Sequence, residues 1–256
     1  MNYVFTLCFN LVSEVEKSVR PLYENNRDFI HVIVDCGFPI EEDVIPDNFE
    51  IVKKRNTEKL RDLCHKYGST YLKIQNEGVS QNWNAVKKWI RLQDNDCLIG
   101  LDPDERPQTK NWVEAMGKVL KDDIGMVSLW MTAYNTRGWD FHIENIDGTR
   151  CLFLKGIINW ALIGLSGRFY NHIKEIPIPG YAPIYGYIED MLLPYFTNYR
   201  WCLLPGHTVI HTDYELGEPG SSKLLREWKN TIIYKRDIYG QISFEQFLIM
   251  KREDKI

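Results

Sequence analysis

Residues 1–131 alternate short apolar runs with stretches of helical spacing, and few folds accept that rhythm. Residues 3–9, 29–34, 50–53, 71–74, 97–101 and 126–131 read as strands, rich in Val, Ile, Leu, Phe and Tyr. Between them, Val12, Val15, Val19 and Leu22 keep one helical face, and Trp83, Val86 and Ile90 another. Trp112, Met116, Val119 and Leu120 keep a third, and residues 57–67 read as a short helix closed by Gly68. Ser13-x-x-Glu16 forms a capping box, Ser80 and Thr109 are further N-caps, and Pro21 predicts a kink or early stop in the first helix. Strand, helix, strand in this order builds a parallel, doubly wound sheet.

The run Cys97-Leu98-Ile99-Gly100-Leu101 stops in Asp102-Pro103-Asp104-Glu105. Five apolar or small residues beside a proline breaker suit a buried strand better than a helix. Open α/β sheets bind ligands just outside the carboxyl ends of their strands. Two carboxylates at i and i+2 point the same way if the extended run continues, which suits sharing one divalent cation. Read as local chemistry alone, D-P-D-E is also a good polar turn.

The chain has 256 residues, which suits one large α/β domain or two small ones. Its net charge of −4, with Lys and Arg dispersed, argues against a nucleic-acid partner. No apolar stretch approaches the ~18 residues of a membrane span. The N-terminus lacks a basic segment and a small-residue cleavage site, so no signal peptide is expected. Six cysteines at 8, 36, 64, 97, 151 and 202 show no C-x-x-C and fit reduced core thiols in a cytoplasmic protein, rather than disulfides or zinc.

The second half is less regular. Residues 133–149 read as a polar loop containing Trp139, and residues 150–154 as a strand. Residues 166–188, rich in Pro, Gly and Tyr, read as a long loop, a length that points to function. Glu189-Asp190 then opens an apolar helix limited by Pro194. Residues 200–204 and 208–211 read as two strands, the second ending in His211, and residues 221–239 as a helix. On the residues alone, Glu189-Asp190 serves equally as a helix cap.

Five short segments, in order, resemble the inverting, non-processive family 2 glycosyltransferases. Asn10 ends a first strand as in the family's opening element. Val32-Ile33-Val34-Asp35-Cys36-Gly37 is similar to its "VVDDGS", with Cys36 in place of the second acid. Asn76-Glu77-Gly78-Val79-Ser80-x-x-x-Asn84 is similar to its "N-x-G-x-s-x-x-x-N". Asp102-Pro103-Asp104 resembles its "D-x-D", and Gly186-Tyr187-Ile188-Glu189-Asp190 its "g-x-x-E-D". No Q-x-x-R-W follows, unlike processive polymer synthases.

The resemblance implies a GT-A type α/β fold. This is a single domain with a mostly parallel central sheet and helices on both faces. Residues 1–131 would bind the nucleotide sugar, 132–216 would bind the acceptor and catalyse, and 217–256 would form a helical extension. It implies transfer from a nucleotide-diphosphate sugar, UDP-linked by preference, to a saccharide or other hydroxyl acceptor. The setting would be cell-surface polysaccharide or glycoconjugate synthesis, in the cytoplasm or at the inner face of a membrane. Asp104 would ligate Mn²⁺ or Mg²⁺, with Asp102 on ribose or metal and His211 completing the site; His207 is the lesser candidate. A divalent cation there would stabilise charge building on the diphosphate leaving group. Asp190 would be the base, held ionised by the helix dipole, with Glu189 beside it. Asp35 would accept a nucleobase N–H, with Asn10, Lys73 and Asn76 at the donor, and Tyr185, Tyr187 and Trp139 at the acceptor sugar.

Two other readings compete. A nucleotidyltransferase shares the sheet type and acid-bound Mg²⁺, but wants a glycine-rich phosphate loop that Phe9-Asn10-Leu11-Val12-Ser13 does not supply. A non-catalytic nucleotide-sugar-binding protein would keep the fold and lose turnover.

Overall fold

The computed structural model describes the chain apart from residues 10–11, 38–44, 46, 76–77, 122, 133, 135–138, 156–161, 178–190, 197, 213–223, 225–226, 229 and 232–241. The first half runs β1 (Asn2–Cys8), α1 (Val12–Asn25), β2 (Phe29–Asp35), α2 (Phe49–Tyr67), β3 (Thr70–Lys73), α3 (Val79–Ile90) and β4 (Cys97–Gly100). Then come β5 (Glu105–Pro107), α4 (Trp112–Val119), β6 (Ile124–Met131), β7 (Phe141–Ile146), β8 (Thr149–Leu154), β9 (Ile163–Ser166) and α5 (Gly167–Ile173). A 3-10 turn (Leu193–Tyr195), β10 (Arg200–His211) and α6 (Phe244–Arg252) complete the described elements.

The ten described strands form one sheet, in the order β3-β2-β1-β4-β9-β6-β10-β8-β7, with β5 paired to β10. Strands β3, β2, β1, β4, β6 and β10 share a direction, and β9 is inserted antiparallel between β4 and β6. Alternate residues of each strand face opposite layers. Cys97 and Ile99 join Trp112, Met116 and Val119 of α4 on one face. Leu98 joins Trp83 and Val86 of α3 and Phe169 of α5 on the other. Helices α1 and α2 close over Cys8 and Ile33 through Val15, Val19, Leu60 and Cys64. Helix α6 docks on the domain through Phe244, Phe247 and Leu248, against Trp228, Phe9 and Phe49. All six cysteines are buried and none is in a disulfide. Among the described residues, no helix is long and apolar enough to cross a membrane.

Several local expectations are corrected. Residues 50–53 are helical, not a strand: the Asn48 side chain accepts the Glu50 and Ile51 N–H groups and starts α2 there. Buried Asn56, Leu60 and Cys64 then carry its helical period to Gly68, whose left-handed φ of 68° ends it. Ser13 lies inside α1 instead of capping it, and α1 continues through Pro21 to Asn25. The lost backbone bond at Pro21 is outweighed by burial of Val15, Val19 and Leu22 on the sheet. Ser80 lies inside α3, with Gly78 at the cap position. Asn111, not Thr109, precedes α4; Thr109 Oγ1 instead lies 3.3 Å from His207 Nδ1 and accepts the Thr208 N–H.

In the second half, residues 141–146 are not loop but strand β7, turned into β8 by Asp147 and Gly148 at positive φ. Residues 167–173 are helix α5, capped by Ser166, whose Oγ accepts the Phe169 N–H. The expected strands at 200–204 and 208–211 are one strand, with a register shift against β6 between Leu204 and Thr208. Strands β5 and β9 carry no clear local signal. At Gly164 in β9 a Cβ would meet Met116 Cε at 2.8 Å and Leu120 Cδ1 at 2.9 Å, so a larger residue would have to displace the tips of those side chains.

Candidate active site

The carboxyl ends of the parallel strands bring three groups of polar residues to one edge of the sheet. Asp35 ends β2, residues 102–105 follow β4, and His211 ends β10. Strand β4 and strand β10 are not neighbours in the sheet; β5 links them. Its antiparallel pairing sets Glu105 opposite His211, and the Thr212 N–H donates to Asp104 O at 2.9 Å. His211 Nε2 therefore stands 3.6 Å from Asp104 Oδ2, both side chains about one-fifth exposed.

The turn carrying the two aspartates is held from below. Glu105 is buried and uses both carboxyl oxygens on backbone: Oε2 accepts the Asp102 N–H at 2.8 Å, and Oε1 accepts the Leu162 N–H. Burial, then the charges of Asp102 and Asp104, push its proton affinity well above the usual carboxylate range. Ser18 Oγ of α1 donates to Asp102 O at 2.9 Å. Arg106 pairs with Glu14 of α1 at 2.6 Å and donates to Pro103 O, tying the same turn to the first helix. The Asp102 side chain is left exposed.

Asp35 is 5 % exposed and already accepts three hydrogen bonds: from the Gly37 N–H at 2.9 Å, Thr57 Oγ1 at 2.8 Å and the Tyr71 hydroxyl at 2.6 Å. Burial and the bond to Asp35 push the Tyr71 hydroxyl up to about 12. Cys36, in the position of the family's second acid, is buried, and burial followed by the charges of Asp35 and Asp102 pushes its thiol up. Lys73 pairs with Asp35 in the β2–β3 register and is exposed.

His207 sits at the register shift of β10 against Thr109, and burial lowers its proton affinity. Its described contact is with Thr109, whereas Asp104 faces His211. Trp139 forms a half-buried trio with Trp130 and Tyr134, ring centroids 5.6–6.0 Å apart, near the carboxyl end of β6. Asn10, Asn76, Tyr185, Tyr187, Glu189 and Asp190 lie outside the described residues. Glu105, Ser18, Thr57 and Tyr71 were not anticipated as parts of the site. Only Glu105 had a signal, an acid directly after the pair; the rest reach the site through tertiary packing.

Among the described residues, no three of His, Cys, Asp and Glu converge tightly enough to cage a metal by themselves. Asp104 and His211 offer one oxygen and one nitrogen donor on a partly open edge, with exposed Asp102 on the same turn. That donor set fits a divalent cation of the Mn²⁺ or Mg²⁺ kind whose remaining positions belong to ligand oxygens and water.

The sequence matches no protein-family model and no curated protein. Its structure is similar to GalNAc-T7 crystallised with UDP, GalNAc and Mn²⁺, at a TM-score of 0.54 and 12% identity over 82% of this chain and 43% of that one. It is also similar to S. aureus TarS 1–349 in complex with UDP, at a TM-score of 0.50 and 13% identity over 82% of this chain and 60% of that one. The chain spans about half the length of these two structures. With its mainly parallel central sheet and six described helices, it has the GT-A fold.

Proposed function

We propose that this protein is a glycosyltransferase that moves a sugar from a nucleotide-diphosphate donor, UDP-linked by preference, to a hydroxyl acceptor with inversion. The observation that carries the reading is the approach of His211 to Asp104 beside exposed Asp102, on the ligand-binding edge of a GT-A sheet. The UDP in both similar structures, and the Mn²⁺ in one, support the same donor class and a divalent cation here. Asp104 and His211 would hold that cation, and Asp102 would meet the ribose or the metal. The cation would supply Lewis-acid stabilisation of the diphosphate leaving group. Asp35, set firmly by Thr57, Tyr71 and Gly37, would present its remaining acceptor capacity to the nucleobase, with Asn10, Lys73 and Asn76 nearby on the donor. Asp190 would take the acceptor proton, with Glu189 orienting it, and Trp139, Tyr185 and Tyr187 would line the acceptor side. Cell-surface polysaccharide or glycoconjugate assembly is the setting this activity would serve.

The test is release of nucleoside diphosphate from a panel of nucleotide sugars, with and without Mn²⁺. Metal-dependent release that Asp104→Ala reduces by about 10²-fold or more supports the reading. Full turnover in that variant removes the metal assignment, and pyrophosphate as the product replaces sugar transfer with nucleotidyl transfer.

A further inference from the structure

A second concave region lies away from the carboxyl-end acids. A cleft of about 740 Å³ runs between α3 and residues 174–177, and none of Asp35, Asp102, Asp104 and His211 lines it. Its charged lining is Lys87, Lys88, Arg91 and Lys174, against Glu175 alone. In a chain of net charge −4, this is a local reversal of sign. Walls of one charge around a low-dielectric hollow focus the field inside it.

The walls are fixed. Asn84 Nδ2 donates to Ile176 O at 3.0 Å, and its Oδ1 accepts from the Ile176 N–H at 2.8 Å and the Tyr170 hydroxyl at 2.9 Å. Lys87 Nζ donates to Tyr170 O at 2.8 Å and to Lys174 O, and stands 4.5 Å over the Tyr170 ring. Two carbonyls occupy two of its three N–H groups, so one remains for a ligand. Lys88, Arg91 and Lys174 are exposed and make no ion pair among the described residues. Gln81, also on the wall, keeps its Oε1 buried, without a hydrogen-bond partner among the described residues.

We propose that this cleft is a second binding site, for a small molecule carrying two or more phosphate or carboxylate groups. The cations match the anionic oxygens.

The test is calorimetry on the full chain in EDTA, without nucleotide, so that it reads this cleft independently of sugar transfer. Glucose 1,6-bisphosphate and trigalacturonate are the probes, maltotriose is the neutral control, and phosphatidylglycerol vesicles form a separate arm. The charged saccharides are expected to bind at least about tenfold more tightly than maltotriose, weakening as salt rises. Lys88→Gln with Arg91→Gln and Lys174→Gln should lose at least about tenfold, and Arg91→Gln alone about threefold, with an unchanged melting profile. Equal binding of charged and neutral sugars overturns the proposal. So does full affinity in either variant, or binding to vesicles alone.

Discussion

The Asp102 N–H donates to Glu105 Oε2 at 2.8 Å, so the turn that presents an exposed acid is closed onto a buried one. Strand β5 starts at that buried acid, and its pairing with β10 delivers His211 to Asp104. The geometry of the candidate metal edge therefore depends on a residue that does not face solvent.

Glu105→Ala should cost about 2–4 kcal/mol, since it leaves two buried N–H groups without acceptors and opens a cavity. Glu105→Gln keeps the volume and one acceptor and should lose less than half as much. Urea unfolding of both variants measures the difference; equal losses would mean that the volume and the acceptor kept by Gln contribute nothing.

His211→Ala should weaken the stabilisation given by Mn²⁺ with UDP while leaving the unliganded melting temperature nearly unchanged. A tenfold loss of metal affinity corresponds to about 1.4 kcal/mol, which thermal shift across a Mn²⁺ titration resolves. His207→Ala, at the Thr109 contact, is expected to leave that titration unmoved.

Tyr71→Phe removes the 2.6 Å hydroxyl bond to Asp35, together with a smaller hydroxyl interaction with Thr57. A bond to a charged acceptor at a half-buried site should be worth about 1–2 kcal/mol in denaturant unfolding. If Asp35 meets the nucleobase, UDP affinity falls as well, because the carboxylate loses one of the three donors that orient it.

Acid should destabilise the fold through His31. It is fully buried among Thr6, Ser69 and Tyr23, and burial lowers its pKa to about 3 from an ordinary 6.5. A depressed folded value means that the stability is complete above 6.5 and is lost as pH falls toward 3. Between pH 7 and pH 5 the loss attributable to His31 is about 2 kcal/mol. His31→Gln should flatten that part of the stability profile, and an unchanged slope would exonerate the imidazole.

The alternation of apolar runs and helical faces was enough to read the α/β class, the first strands and the two acids after β4, because those signals repeat within a few residues. The weak places were short. Residues 50–53 look like a strand until Asn48 is seen holding the Glu50 and Ile51 N–H groups. Strand β9 was illegible because it is only four residues long, Ile163 to Ser166, with a glycine among them, too short a window to show a strand's alternation. Strand β8 was legible at residues 150–154, but its partner β7 escaped notice because Phe141 and Ile143 sit at an exposed edge, where no buried face imposes an alternation.

The amino-acid order by itself determined which residues end strands, since an apolar run broken by Asp, Pro or Gly is a local fact. Only the tertiary structure decided which of those ends meet. Asp104 and His211 become neighbours through an antiparallel pairing of three residues between β5 and β10, and Asp35 takes its place through Thr57 and Tyr71 on other elements. Pairing between distant segments is settled by sheet register and by the burial of both faces, quantities that no short window of sequence contains.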